Sequence, residues 1–248
     1  MRPLLAAALA CAMPLTVVAQ KSPNEALLQL LDRSSADPRE VRALIARGAD
    51  PNAAPSTGGR SPLVLAVSNG NLGAIRALLA AGADANRRAN SETPLCAGIG
   101  NSFGQTEDML LLLLAKGADP NLTCAQGNSP LKKAVSYRSE DAVAILLNAG
   151  ARVDEVTEYG ATLLIDGARY GPSRVVWLLL KRGASVNAKD RYGTTALMVA
   201  KNTTIARLLI EAGADVNARN EKGESVLAQH EGLNQLQIAA LLRERGAR

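Results

Sequence analysis

Apolar residues recur along most of the chain at the spacing of one face of an α-helix. A representative stripe is formed by Leu72, Ile75, Leu78 and Leu79. This spacing predicts short amphipathic helices, each with one buried face. The apolar run from Met109 to Leu114 fits the same interpretation, because it is far shorter than the roughly 20 residues that a membrane-spanning helix needs. No stretch predicts the core of a sheet, so the expected fold class is all-α.

Two short phrases return in phase with this pattern. The first comprises Gly48-Ala-Asp-Pro-Asn52, Gly82-Ala-Asp-Ala-Asn86, Gly117-Ala-Asp-Pro-Asn121, Gly150-Ala-Arg-Val-Asp154, Gly183-Ala-Ser-Val-Asn187, Gly213-Ala-Asp-Val-Asn217 and a final Gly246-Ala-Arg248. Its glycines are separated by 34, 35, 33, 33, 30 and 33 residues. The second comprises Ser61-Pro-Leu63, Thr93-Pro-Leu95, Ser129-Pro-Leu131, Thr162-Leu-Leu164, Thr195-Ala-Leu197 and Ser225-Val-Leu227. A fixed period of this length predicts a stack of similar supersecondary units.

Each phrase has a physical meaning at a helix end. A Ser or Thr hydroxyl caps free amide groups, and Pro at the first helical position loses no hydrogen bond. Gly supplies the left-handed conformation that closes a helix, and Asp or Asn suits the turn that follows.

The two phrases together resemble the ankyrin repeat, from about residue 24 to residue 248. The resemblance implies an all-α solenoid of about seven helix pairs joined by short hairpin-like turns. The repeats are expected at about 24–52, 53–86, 87–121, 122–154, 155–187, 188–217 and 218–248, within a domain that covers 20–248. The first repeat lacks the Thr-Pro-Leu phrase and has the polar outer side of an end-capping unit, with Asp37 and Pro38 opening its second helix.

Two repeats depart from the regular length. Repeat three has three additional residues, which we place in the glycine-rich segment 100–105 between its helices. Repeat six has three fewer, which shortens its helices or the turn around Asn202. The His that the ankyrin family places after Thr-Pro-Leu is absent, and Cys96 stands there in repeat three.

Residues 1–19 have the composition of a secretory signal peptide. Arg2 precedes an apolar run, and small residues lead to a polar boundary at Gln20. We expect cleavage after Ala19 and a periplasmic or secreted protein that does not insert into the membrane. Two alternatives stay open, a lipoprotein box ending at Cys11 and an uncleaved anchor.

The net charge limits the classes of partner that are expected, and the cysteine content indicates a possible disulfide. The net charge is +5, without a basic block or an aromatic platform, so nucleic acid is not expected as a partner. An acidic protein surface or the anionic cell envelope suits this charge better. After export Cys96 and Cys124 are left, and the ankyrin geometry would let their sulfurs meet in a disulfide. The alternative is two separate small residues in a core and a turn.

No reactive constellation emerges from the sequence. His230 is the only histidine, which excludes a histidine metal cluster and leaves a structural role as the simplest interpretation. The glycines of segment 98–104 lack the spacing of a dinucleotide fingerprint. We therefore expect no catalytic residue, no metal and no cofactor, and a chain that is not an enzyme.

The tyrosines indicate where a partner would bind. In ankyrin repeats their positions fall on the concave face, and tyrosine is favoured in interfaces. The candidate partner-binding residues are Tyr137, Arg138, Glu158, Tyr159, Arg169, Tyr170, Lys189, Arg191 and Tyr192. The alternative is that these rings only pack on their neighbours. Phe103 is expected to fold back over Leu110, and Trp177 to be buried against the next repeat.

The resemblance implies non-catalytic recognition of another protein by a chain that is a monomer when free. We expect this recognition in the bacterial periplasm, through the concave face. An inhibitor or immunity protein that neutralises a toxin or a cell-wall enzyme is the first alternative, and a scaffold for envelope assembly or stress response is the second.

Overall fold

A computed structural model describes residues 21–53, 59–100, 105–156 and 160–248. These ranges contain thirteen α-helices and no strand. The helices are α1 (Pro23–Leu31), α2 (Pro38–Ala46), α3 (Pro62–Ser68), α4 (Leu72–Ala80), α5 (Pro94–Gly98), α6 (Thr106–Ala115), α7 (Pro130–Ser136), α8 (Glu140–Asn148), α9 (Leu163–Tyr170), α10 (Ser173–Lys181), α11 (Thr203–Glu211), α12 (Val226–Gly232) and α13 (Leu236–Glu244). The predicted all-α solenoid is confirmed. The expected leader and Phe103 lie outside the described residues.

The helices form consecutive pairs that stack in chain order. Each first helix packs on its own second helix and on the first helix of the next repeat. Leucine, isoleucine, valine and alanine side chains from both helices fill one continuous core. No helix in the described ranges combines the length and the apolar character that crossing a membrane requires.

The recurring Ser or Thr residues begin the first helices as predicted. Their hydroxyl groups accept hydrogen bonds from the backbone N–H three residues later, at 3.4 Å for Ser61, 3.2 Å for Thr93 and 3.0 Å for Ser129. In the first repeat Ser22 and Glu25 form a reciprocal capping box, and Asp37 caps α2. Local hydrogen bonds between a side chain and the backbone therefore determine where these helices begin.

A ladder of asparagine side chains, which we call the clasps, ties neighbouring repeats together. The Asn52 amide donates to Gly82 O (3.0 Å) and its oxygen accepts from Asp84 N (2.8 Å). The same pair of hydrogen bonds recurs from Asn86, Asn121 and Asn187 to the following repeat. In the fourth repeat Asp154 takes this position and accepts only a long bond, 3.5 Å, from the Ser185 hydroxyl.

A disulfide joins repeats three and four. Cys96 at the start of α5 and Cys124 in the following turn have Cα atoms 5.7 Å apart and bonded sulfurs. Both cysteines are buried. The covalent link lies where the family His would otherwise bond to the neighbouring unit.

The two irregular repeats differ from their neighbours as their lengths predict. Seven residues separate α5 from α6, against three between α3 and α4, so the extra residues of repeat three lie between its helices. In repeat six the first helix is reduced to a 3-10 turn, Leu197–Val199. The backbone N–H of Lys201 then donates to Ala168 O (3.2 Å), and its ammonium group donates to Tyr170 O (3.1 Å).

The only histidine is part of the core. His230 is fully buried, its Nε2 donates to Leu197 O (2.8 Å), and its Nδ1 contacts the side-chain amide of Gln235. The ring thereby joins the 3-10 turn of repeat six to repeat seven, which is a structural role.

The expected burial of Trp177 is wrong. The ring is 44% exposed, whereas Val176 and Leu178 on either side of it are buried. Trp177 lies six residues before the closing Gly183, the position that Arg42, Arg76 and Arg207 occupy in other repeats. This row faces solvent on the convex side, where the Lys181 ammonium lies 5.9 Å from the centre of the indole.

Candidate functional site

The concave side of repeats four to seven contains a groove with a volume of about 930 Å³. It is lined by the turns that project between repeats, which we call fingers, and by the first helices of three repeats: α7 of repeat four, α9 of repeat five and α12 of repeat seven. Its lining residues include Gln126, Lys132, Asp166, Arg169, Tyr170, Asp190, Tyr192, Glu221, Lys222, Glu224 and Gln229. We call this feature the concave groove.

The shortened repeat six leaves a gap among the helices that line the groove. The 3-10 turn Leu197–Val199 contributes no lining residue, whereas α9 and α12 on either side contribute Asp166 and Gln229. A first helix of ordinary length would bring side chains into this space. The deletion therefore creates a local depression in an otherwise regular surface.

Two half-exposed tyrosines line the groove. Tyr170 ends α9 and Tyr192 lies on the finger between repeats five and six, and their rings are 53% and 56% exposed. The guanidinium group of Arg169 lies 5.8 Å from the Tyr170 ring centre, and that of Arg191 lies 5.2 Å from the Tyr192 ring centre. Both distances are within the range of cation–π attraction. Each tyrosine is thus held in place without being covered.

The finger that carries Tyr192 is held in one conformation by hydrogen bonds to its backbone. The Asp190 carboxylate accepts hydrogen bonds from Tyr192 N (2.9 Å) and Thr194 N (2.8 Å). Tyr192 O accepts from Glu221 N (3.0 Å) on the next finger. Gly193 has φ +74°, and a Cβ there would lie 2.8 Å from Glu221 N. Only glycine allows the two fingers to approach this closely.

The floor of the groove carries charge of both signs. Burial raises the pKa of the Asp166 carboxyl above its ordinary value, and the nearby Arg169 and Lys132 cations partly counteract this effect. Glu224 accepts hydrogen bonds from the Asn220 (2.8 Å) and Gln229 (3.3 Å) amides, and these bonds lower its pKa. A ligand of the groove therefore meets a half-buried carboxylate beside two cations.

The structure assigns the predicted site residues to different places. Arg169, Tyr170 and Tyr192 line the concave groove. Lys189 and Arg191 are on the same finger as Tyr192, and the Lys189 ammonium donates to Arg219 O (3.1 Å) on the next finger. Glu158 and Tyr159 lie outside the described residues.

Tyr137 and Arg138 are located outside the lining of the groove. They form the turn after α7, where Arg138 has φ +57°. The Tyr137 ring packs against Gly100, whose Cβ, if present, would be 2.5 Å from the ring. Tyr137 is nevertheless 59% exposed, so its ring covers the neighbouring repeat and also faces solvent.

Sequence reasoning did not identify Asp166 and Gln229, although a signal for them exists. Both residues stand two positions after the Leu of the second phrase. This position is half-buried in all six repeats that carry the phrase: Leu65, Ala97, Lys133, Asp166, Val199 and Gln229. We call this set the inner row. A polar residue in the inner row therefore marks a repeat whose concave face offers a polar or charged group to a partner.

Groups of three or more His, Cys, Asp or Glu side chains arranged to hold a metal ion are not found in the described ranges. The concave groove contains tyrosine, amide, carboxylate and cationic groups, which together suit non-covalent recognition of a polar surface.

Comparison with known families places most of the chain in one of them. A model for ankyrin repeats (3 copies) matches residues 15–123 and 101–190, and a model for the single ankyrin repeat matches residues 192–221. No curated protein matches the chain.

Proposed function

Because the chain belongs to the ankyrin repeat family, we propose that it is a protein-interaction module whose concave groove receives one partner protein. Ankyrin repeats as a class indicate protein–protein interaction. The observation that supports the location is the pair of half-exposed tyrosines, Tyr170 and Tyr192, on opposite elements of a single groove. Tyrosine offers a large contact area and a hydrogen bond at low entropic cost.

The groove geometry favours rigid docking. The clasps and the hydrogen-bonded fingers fix the backbone around Tyr192 before a partner arrives, so little conformational entropy is lost on binding. Cations around the rim, such as Arg169 and Lys222, would steer an acidic partner surface, while Asp166 offers a charge partner at the floor.

We further propose that this recognition takes place in the periplasm. The support is the leader pattern of residues 1–19, which predicts a mature chain beginning at Gln20. Mass spectrometry of the protein purified from the periplasmic fraction should then find Gln20 as the first residue. A full-length chain in the cytoplasmic fraction would contradict the export proposal without affecting the groove.

A role as an inhibitor or immunity protein is the more specific proposal. It is supported by the confinement of the groove to repeats four to seven, which suits one dedicated partner better than several. Deleting the gene should then impair growth only when the partner toxin or cell-wall enzyme is produced. Several partners of similar affinity and no growth defect would indicate a scaffold.

The direct test uses the mature chain as bait in an envelope extract. A partner bound through the concave groove should be retained by the wild type and lost with the Tyr170→Ala/Tyr192→Ala variant. The matched control is Trp177→Ala, which removes an exposed aromatic ring from the convex side. If the double variant retains the partner with unchanged affinity while its circular dichroism is native, the proposed location is wrong.

A further inference from the structure

The convex side of the first two repeats carries a set of arginines that the groove does not explain. Arg39 and Arg42 lie on α2, Arg47 directly follows α2, and Arg76 lies on α4; all four are exposed. We call them the arginine patch. On α2 the exposed residues around them are Glu40 and the small Ala43 and Ala46, so guanidinium groups outnumber carboxylates on this surface.

The packing of the two helices brings these charges together. Arg39 and Arg42 are three residues apart, which places them on one helical face. Arg42 and Arg76 each stand six residues before a closing glycine, so they are neighbours in adjacent repeats. Pro38 lies against Gly73, where a Cβ would be 2.4 Å from the proline ring. The absence of a side chain at Gly73 therefore allows α2 and α4 to approach closely at this end.

The four cations are not neutralised by the protein. None of the three ion pairs in the described part of the chain includes them, and no hydrogen bond there engages their guanidinium groups. The acidic residues nearby are few. Asp37 caps the backbone of α2, and Glu40 is exposed beside the patch.

We propose that the arginine patch docks the protein on an anionic phospholipid surface. The charges lie on a convex ridge of helices, which suits contact with a broad surface better than enclosure of a small anion. A cationic patch that lacks internal partners is attracted to a leaflet of anionic lipid, and each arginine near the surface strengthens binding about fivefold. The choice of a membrane rests on the proposed export; the docking is independent of the concave groove.

The test measures binding of the mature chain to vesicles. Vesicles of equimolar phosphatidylcholine and phosphatidylglycerol should retain the protein on sedimentation, and vesicles of phosphatidylcholine alone should not. The Arg39→Gln/Arg42→Gln/Arg76→Gln variant should bind the anionic vesicles about 100-fold more weakly. High salt should release the wild type, because the interaction is between exposed charges.

A matched control separates the patch from net charge. The Lys116→Gln/Arg207→Gln/Arg245→Gln variant removes the same number of exposed cations from α11 and from the positions directly after α6 and α13. It should bind vesicles nearly as well as the wild type. Equal weakening by both variants would show that only the overall charge matters and would overturn the proposal.

Two further outcomes would also overturn it. Trp177 is the only tryptophan and lies in repeat five, three repeats away from Arg76, so its fluorescence should not change on vesicle binding. A blue shift would place the membrane contact at Trp177 instead. Binding of double-stranded DNA with the same loss in the patch variant, without binding to anionic vesicles, would identify nucleic acid as the occupant. The Tyr170→Ala/Tyr192→Ala variant should bind vesicles normally, which keeps this test separate from that of the groove.

Discussion

The gap in the ladder of clasps leads to a prediction that the Asp154→Asn variant is more stable than the wild type. At four other interfaces the asparagine amide donates to the carbonyl of the closing glycine of the next repeat, as Asn121 does to Gly150 O (3.2 Å). Asp154 has no donor for the corresponding Gly183 carbonyl. Its carboxylate also lies near the C-terminus of α10, where the helix dipole disfavours negative charge.

The expected gain follows from these two effects. One additional net hydrogen bond contributes about 0.5–1.5 kcal/mol, and removal of a charge next to a helix C-terminus contributes about 0.3–1 kcal/mol. Together they predict a rise of about 1–2 kcal/mol in the free energy of unfolding. For a chain of this size the melting temperature should rise by roughly 2–8 °C.

Urea unfolding of the mature chain, followed by circular dichroism, measures this change directly. The matched variant is Asn121→Asp, which converts an intact clasp into the state of Asp154 and should lower the midpoint by a similar or larger amount. The double variant should return close to the wild type, because the two clasps belong to different interfaces. If Asn121→Asp is destabilising but Asp154→Asn gives no gain, the carboxylate is not the cause of the gap and the reasoning fails.

Three other predictions concern the disulfide, the groove and a strained turn. The Cys96→Ala/Cys124→Ala variant opens a loop whose ends are 28 residues apart, and its free energy of unfolding should be lower by about 3–4 kcal/mol. Differential scanning calorimetry should show a lower melting temperature for the variant. A reductant should lower the melting temperature of the wild type to the same extent and should not affect the variant. The pKa of Asp166 is raised in the folded protein, so the stability that its protonated form contributes is present at low pH and is lost as the pH rises above the ordinary pKa of 3.8. The Asp166→Asn variant should therefore melt at a higher temperature than the wild type at neutral pH. If the variant still melts higher below pH 3.8, burial of the charge is not the cause. Asn90 and Ser91 have φ +51° and +62° in a two-residue hairpin. The Ser91→Gly variant should have a free energy of unfolding higher by about 1 kcal/mol in urea, and the control variant Asn90→Gly should gain less. An unchanged free energy of unfolding for Ser91→Gly would show that the turn is not strained.

The sequence is sufficient to predict the repeats because each phrase acts locally. The Ser61 cap and the closing Gly82 determine helix ends through hydrogen bonds within a few residues, and their regular spacing determines the stack. The shortened first helix of repeat six was predictable as a missing length. Its consequence, an open space between α9 and α12, was not, because it depends on how two non-adjacent repeats face each other.

Trp177 shows why the phase of a helix is harder to predict than its existence. The segment from Val175 to Leu180 is apolar at every position, so periodicity alone cannot tell which side faces the core. Alignment of the repeats on their closing glycines would have resolved this, since Arg42, Arg76 and Arg207 occupy the same row. The inner row was missed for the same reason, because Asp166 was considered within its own helix and not beside its counterparts.

The inner row has a consequence for how such a protein can change its partner. Its six residues are half-buried, and two of them, Asp166 and Gln229, line the concave groove, whereas the leucines two positions before them belong to the core that carries the stability of the stack. Replacing Asp166 or Gln229 would change the chemistry presented to a partner while the leucine core stays intact, whereas Lys133 also ties its repeat to the preceding one through contacts with Glu92 (2.8 Å) and Cys96 O (2.7 Å). New binding specificities can therefore be selected by substitution at inner-row positions, without any change to the scaffold of the repeats.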